Sequence, residues 1–289
     1  MSKTIVVSGD WHIGEGDDRH ALGVAFSEWE RLQPDTLIAN GDIIDCKDLH
    51  KTAQGRRVPV QRGEGSLRLG EEVTAARQIL KRLRKILPRT RIVYVEGNHE
   101  ARYPRYLARQ NPEAYEHLPH LPDLLGLEAL GIEWQPYGVP LRVGNFYVIH
   151  GWKCNLHSCR TLVQDFMASA VQGHSHRLKA YPHTTPAGIT YWGIEGGHLR
   201  NRRAAYTPTE WPQWQQGYVV LTETGEDHYT PTLVPIEGLD RAVVVPGSGV
   251  TSDTIHKGFL TSLKTAARRI AAARTAEIER SINGRIFEE

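Results

Sequence analysis

The sequence is poor in cysteine, nearly neutral overall and without any long apolar run, and each shortage narrows what the chain can be. Its three cysteines, Cys46, Cys154 and Cys159, make no even disulfide framework, which points to a reducing compartment. No stretch approaches the roughly 18 apolar residues of a membrane span. The opening MSKTIVVSGDW passes from one lysine into a short β-rich run, without the apolar stretch and small-residue cleavage site of a signal peptide. The expectation is a cytoplasmic protein with no membrane partner. A formal net charge of +2 lacks the basic excess of a nucleic-acid binder, so any such role must rest on local clusters. Solenoid repeats and low-complexity tracts are also missing.

What is present reads as an ordinary globular protein: 40% hydrophobic and 24% charged residues over 289 positions. That length accommodates one large α/β domain, expected over residues 1–245, and a C-terminal helical extension over 246–289. The β-branched run Thr4 to Ser8 stops at Gly9 and Asp10, a helical pattern follows from Ala21 to Leu32, and Thr36 to Ala39 forms a second apolar run ending at Asn40, Gly41 and Asp42. From Leu69 the positions Val73, Ala76, Leu80, Leu83 and Leu87 recur at helical spacing, Pro88 stops them, and Arg91 to Val95 reads as a strand ending at Gly97, Asn98 and His99. The later chain turns β-rich, with strands at Phe146 to Ile149, Ala170 to Gln172, Ile189 to Trp192, Tyr218 to Leu221 and His228 to Val234, so a second sheet is expected to pack on the first. Asp253 to Ile282 reads as one long helix, packing on its own domain or on a second subunit, so a homo-oligomer is a candidate assembly.

The candidate chemistry sits where those strands end, and open α/β sheets bind ligands at the carboxyl ends of their strands. Asp10 and His12 follow the first strand, and Gly41-Asp42-Ile43-Ile44-Asp45 follows the second. Gly97-Asn98-His99-Glu100 ends the third, His150-Gly151 ends the fourth, and Gly173-His174-Ser175-His176 follows the fifth. Any one of these motifs is equally a capped turn or a surface histidine. Carboxylates, an amide and imidazoles at five successive strand ends instead fit ligands for metal ions. Cys154, His157 and Cys159 are too loosely spaced for a separate zinc site and read as structural. Glu195 and His198, in and after a glycine-rich stretch, either line the site or belong to a turn.

In that order, Asp-x-His, Gly-Asp-x-x-Asp, Gly-Asn-His-Glu, His-Gly and Gly-His-x-His resemble the calcineurin-like metallophosphoesterases, over about Gly9 to His176. The resemblance implies a four-layer α/β/β/α sandwich of two mixed sheets flanked by helices. It puts Asp10, His12 and His176 on one metal, Asn98, His150 and His174 on another, and Asp42 between them. His99 would contact the phosphate or protonate the leaving group, Glu100 would orient His99, and Asp45 would support the site by hydrogen bonds. Two divalent ions about 3.5–4 Å apart would neutralise phosphate oxygens and acidify a bridging water, whose hydroxide attacks in line. The mixed oxygen and imidazole ligands suit Mn first, then Fe, Zn, Co or Ni.

The superfamily spans nucleases, cyclic nucleotide phosphodiesterases, pyrophosphatases and protein phosphatases, so the motifs leave the substrate open. Protein phosphatases of the family tend to carry Arg directly after the second Asp of the Gly-Asp motif, where this chain has Cys46. Basic residues cluster at Lys51, Arg56, Arg57 and Arg62, at Arg102, Arg105 and Arg109, and at Arg200, Arg202 and Arg203, while Tyr103, Tyr106, Trp192, Trp211 and Trp214 are available to stack on bases. If loops carry them around the metals, the substrate is single-stranded nucleic acid or a nucleotide and the enzyme a phosphodiesterase; if they are solvated surface and core, a phosphomonoesterase is the alternative. A catalytically silent metal- or phosphate-binding protein is the reading from another class. The compact chain also resembles phage-encoded members of the superfamily.

Overall fold

The computed structural model of the protein describes residues 2–14, 18–49, 68–110, 112–201 and 213–236. The C-terminal helix expected over Asp253 to Ile282, the boundary at residue 245, and Lys51, Arg56, Arg57, Arg62, Arg202, Arg203 and Trp211 lie outside those residues.

The first sheet is assembled from short buried runs separated by amphipathic helices. β1 (Thr4–Ser8), β2 (Thr36–Asn40), β3 (Arg91–Val95) and β4 (Ile132–Gln135) pair in parallel. Helix α1 (Arg19–Leu32) links β1 to β2, and α2 (Leu69–Ile86) precedes β3. The caps explain where these helices begin. Asp18 accepts from the backbone N–H groups of His20 and Ala21 at 3.0 and 3.1 Å, and the Glu71 carboxylate accepts from Arg68 N at 2.7 Å. α1 ends where Gln33 enters the left-handed region at φ 46° and donates to Trp29 O.

Helices α3 (Arg102–Gln110) and α4 (Leu121–Leu125) fill the connection from β3 to β4. The second sheet then begins with β5 (Leu141–Val143) and β6 (Phe146–Ile149), continues through α5 (Ser158–Phe166) to β7 (Ser169–Gln172), and closes with β8 (Leu178–Thr184) and β9 (Thr190–Gly196). β10 (Gly217–Gly225) and β11 (His228–Pro235) return to the first sheet, giving the orders β11-β10-β1-β2-β3-β4 and β5-β6-β7-β9-β8. Both sheets are mixed, since β10 is antiparallel to β1 and β8 to β9, whereas β6, β7 and β9 are parallel.

Alternation along the strands splits the core in two. In β1, Val6 faces α1 and α2 with Leu37, Ala39, Ile92 and Tyr94, while Ile5 and Val7 face the second sheet with Ile38, Val93 and Val95. There they meet Val143, Phe146, Val148, Val171 and Ile194. Each such fully buried aliphatic side chain contributes about 1.5–3 kcal/mol relative to exposure. Helix α5 covers the far face of the second sheet so closely that a Cβ at Gly193 would lie 1.8 Å from Cys159 O, so this strand position must be glycine. The layers therefore run helix, sheet, sheet, helix, as the resemblance implied.

Candidate metal centre

Parallel strands in each sheet gather their carboxyl ends at one edge, and hydrogen bonds across the two sheets bring the two edges together. Asn40 Nδ2 donates to Ile149 O at 3.1 Å, and His174 N donates to Asp10 Oδ2 at 2.9 Å. Beyond β1 and β2 the chains keep pairing: Asp10 N donates to Gly41 O, His12 N to Asp42 O and Ile13 N to Ile43 O, at 2.8–3.0 Å. The backbone bends sharply here. Of the nine non-glycine residues with left-handed φ among those described, five are Asp10, His12, Asp42, His174 and His176. Such conformations cost about 1–3 kcal/mol each and persist only where the surroundings enforce them, typically at functional sites.

Two groups of donor atoms form there. In the first, Asp10 Oδ1 lies 3.1 Å from His176 Nε2 and 3.8 Å from His12 Nε2, and the two histidine nitrogens are 3.2 Å apart. In the second, Asn98 Oδ1 lies 2.7 Å from His174 Nδ1 and 3.1 Å from His150 Nε2, which is itself 3.3 Å from Asp42 Oδ2. All seven residues expected to hold metal are thus brought together. Asp10 and His12 are wholly buried, and among the described residues Asp10 Oδ1 meets histidine nitrogens without a well-formed hydrogen bond, a costly state for a carboxylate oxygen that a cation between these atoms would relieve. The residues present therefore fit divalent ions.

Neighbours set the orientation of the imidazoles. His12 Nδ1 donates to Asp45 Oδ1 at 2.7 Å and His150 Nδ1 to Asn40 O at 2.9 Å, leaving each Nε2 turned inward. His176 has no such partner at Nδ1; the ring of Trp214 packs against it at 4.4 Å. The charges are strongly coupled. Burial raises the Asp10 carboxyl, yet His176 and His12 outweigh it and hold Asp10 far below the usual carboxylate range. Burial lowers His150, but Asp42 lifts it to about 10. For His176 burial prevails over Asp10 and brings it down to about 4.

His99 belongs to neither of these two groups, although its ring nitrogen lies within 4.8 Å of His12 and Asp45 ligand atoms in a third cluster. Its Nδ1 donates to Asp45 O at 2.9 Å, and its Nε2 lies 3.6 Å from Asp42 Oδ2. The expectation that Glu100 orients His99 is not met: Asp45 does so. Glu100 is buried and accepts from Asp42 N, Ile43 N, Ile44 N, Gly97 N and the Tyr94 hydroxyl, at 2.7–3.2 Å, so it ties the β2 and β3 ends together. The approach of these loops requires Gly97, where a Cβ would fall 2.2 Å from both Asp42 N and Asp42 Oδ1.

Other expectations divide. Arg102, Arg105 and Arg109 belong to helix α3, not to a loop. Arg200 is buried, with its guanidinium 5.4 Å over Trp214, so neither residue is a free rim group. Trp192 packs into the core between the sheets, and the Tyr103 hydroxyl donates to Pro119 O. Glu195 is a β9 residue that accepts from Ser158 Oγ at 2.6 Å and stands apart from the metal-ligand groups, whereas His198 is buried with its ring 5.3 Å from His176. Among the described residues no metal-ligand group includes Cys154, His157 or Cys159. Sequence reasoning did not single out the Asn40 carbonyl as a neighbour of the centre, because a backbone acceptor leaves no mark in a motif, and it named Arg102 only as one of a basic cluster.

A two-sheet sandwich with carboxylate, amide and imidazole groups converging at its strand ends is the architecture of a metal-dependent phosphoesterase. The chain belongs to the calcineurin-like phosphoesterase family, which matches residues 3–193. It is similar to the Gene 54 protein of Mycobacterium phage L5, at 29% identity over 252 residues covering 82% of this chain and 95% of that protein. The Gene 54 protein of Mycobacterium phage D29 is 30% identical over 257 residues, with the same coverage. Both relatives are phage proteins, as the resemblance to phage-encoded members led one to expect. Among solved structures, Yfce, a phosphoesterase from E. coli, aligns with 80% of this chain and 99% of its own at 12% identity and a TM-score of 0.35. No described helix is long and apolar enough to cross a membrane.

Proposed function

We propose that the protein is a dinuclear metallophosphodiesterase acting on nucleic acid or nucleotides. The observation that carries the metal reading is the pair of donor groups, Asp10, His12 and His176 beside Asp42, His150 and His174, each with its ligand atoms within 4.8 Å of one another. On this reading the first group and the second, with Asn98, each hold one divalent ion, and Asp42 serves both. Their oxygen and imidazole donors suit Mn, with Fe, Zn, Co and Ni as competitors. Two such ions supply charge neutralisation at phosphate oxygens and acidify water. His99 keeps Nε2 free beside them because Nδ1 is committed to Asp45 O, so Nε2 is placed to touch the phosphate or to give its proton to the departing oxygen.

Two features favour a diester of nucleic-acid type. Arg102, Arg105 and Arg109 lie at helical spacings of three and four, so α3 carries a basic stripe about 10 Å long that starts three residues from His99, its middle member packed 5.5 Å over the Tyr137 ring. Trp152, two residues beyond His150, is 55% exposed although the backbone around it is pinned by Gln172 Nε2 to Lys153 O and by Arg177 to Asn155 O. A solvent-facing indole two residues from His150 offers a base a stacking surface.

The deciding experiment measures bound transition metals, then assays metal-reconstituted enzyme on bis-p-nitrophenyl phosphate, p-nitrophenyl phosphate and a labelled single-stranded oligonucleotide. Chelator-sensitive cleavage of the diester and the oligonucleotide is expected. Cleavage of the monoester alone would defeat the diesterase reading, and two bound metals without turnover of any ester would defeat the enzyme reading.

A further inference from the structure

Arg102 is the first residue of α3, and among the described residues its guanidinium makes a single hydrogen bond. Nη1 donates to Asp45 O at 2.9 Å, the same carbonyl that accepts from His99 Nδ1. A guanidinium has five N–H donors, yet this is the one hydrogen bond of Arg102, and no carboxylate lies within ion-pair distance of it among the described residues. Arg84 shows what a structural arginine does in the same protein: its Nε, Nη1 and Nη2 donate to the carbonyls of Leu130, Leu87, Thr90 and Gly131. Arg102 is half-buried, and its remaining donors have no protein partner among the described residues.

This guanidinium adjoins the centre. A single carbonyl anchors both the imidazole of His99 and the guanidinium of Arg102, so the two side chains share one rim, with His99 Nε2 turned toward Asp42. Cys46, the residue after Asp45, is buried and neutral and brings no positive charge there, so α3 delivers the cation to this side of the site. A rigid fork with free parallel donors matches two oxygens of one phosphate far better than it matches water.

We propose that Arg102 is a substrate-binding residue that grips the non-bridging oxygens of the phosphate seated beside His99. The proposal rests on the phosphoesterase reading of the site. Its anchor at Asp45 O couples the grip to His99, so the phosphate is held in the same frame as the group that meets its leaving oxygen.

The test measures inorganic phosphate on metal-loaded enzyme, both as a competitive inhibitor and by calorimetry, for wild type, Arg102→Ala and Arg102→Gln. The glutamine amide retains a donor for Asp45 O without the charge, so it serves if the alanine variant folds poorly. Phosphate affinity is expected to fall at least tenfold in both variants, with the KM for bis-p-nitrophenyl phosphate rising in parallel and the metal content unchanged. Added guanidinium ion should restore part of the loss in Arg102→Ala, which a purely structural role would not produce. A metal-loaded variant that binds phosphate as tightly as wild type overturns the proposal and leaves the phosphoesterase reading standing. Wild-type protein that loads metal but binds no phosphate and turns over no ester overturns both.

Discussion

The carboxylate of Asp45 accepts the Nδ1–H of His12 at 2.7 Å, and this bond fixes which nitrogen His12 turns toward Asp10 and His176. Burial and Arg200 push the His12 imidazolium down, but Asp45 and Asp10 outweigh them and its pKa ends above the ordinary value. Removing the Asp45 charge therefore weakens the hold on the ring without touching a ligand. Asp45→Asn is expected to lower metal affinity about 10- to 100-fold, read by competition with a chelating dye. An affinity equal to wild type would remove Asp45 from this role.

On the proposed reading His99 is not a metal ligand, its Nδ1 being committed to Asp45 O, so its loss separates chemistry from metal binding. His99→Ala should keep two metals per chain by elemental analysis while turnover drops by about 10²–10⁴. Loss of metal in step with activity would make His99 a ligand instead. Asp42→Asn gives the opposite pattern, with metal lost first.

Glu100 is the knot between the β2 and β3 ends. Burial and the Asp42 carboxylate push its own carboxyl upward, while Tyr94 pulls it down. Glu100→Ala leaves four backbone N–H groups without their acceptor and should destabilise the protein by roughly 3 kcal/mol or more, seen as a lowered urea midpoint. Glu100→Gln keeps the acceptor oxygen for part of that network and should fall between. A stable Glu100→Ala protein would mean that water replaces the carboxylate.

Glu72 of α2 accepts from Cys46 N at 2.8 Å, and burial together with Asp45 pushes its carboxyl from the ordinary 4.5 to about 8. A raised carboxyl favours the protonated folded state, so its contribution is complete below pH 4.5 and is lost as the pH rises through about 8. Glu72→Gln removes that dependence. The difference in stability between variant and wild type, measured in chelator at pH 5 and pH 8.5, should shift toward the variant by on the order of a few kcal/mol at the higher pH. A difference that does not change with pH would show that Glu72 titrates normally.

The sequence by itself determined the buried strands and the order of the site motifs. β1, β3 and β6 begin and end where their apolar runs do, and β2, β7 and β11 differ from expectation by one residue, because a short buried run closed by glycine and a polar residue has few alternatives. The same strand-end logic pointed to Asp10, His12, Asp42, Asn98, His150, His174 and His176. Tertiary structure decided the rest. Helix α3 has no fully buried side chain and contains Pro104, and β8 runs along a sheet edge as LKAYPHT with Pro182 inside it, so neither carries an apolar period to read. Glu100 as a knot, Asp45 as the orienter of His12 and His99, and Arg102 as a guanidinium with idle donors are relations between residues far apart in the chain or on separate elements. Such relations arise from how two sheet edges meet, and hydrophobic periodicity encodes which face of each strand is buried but not which loops then touch.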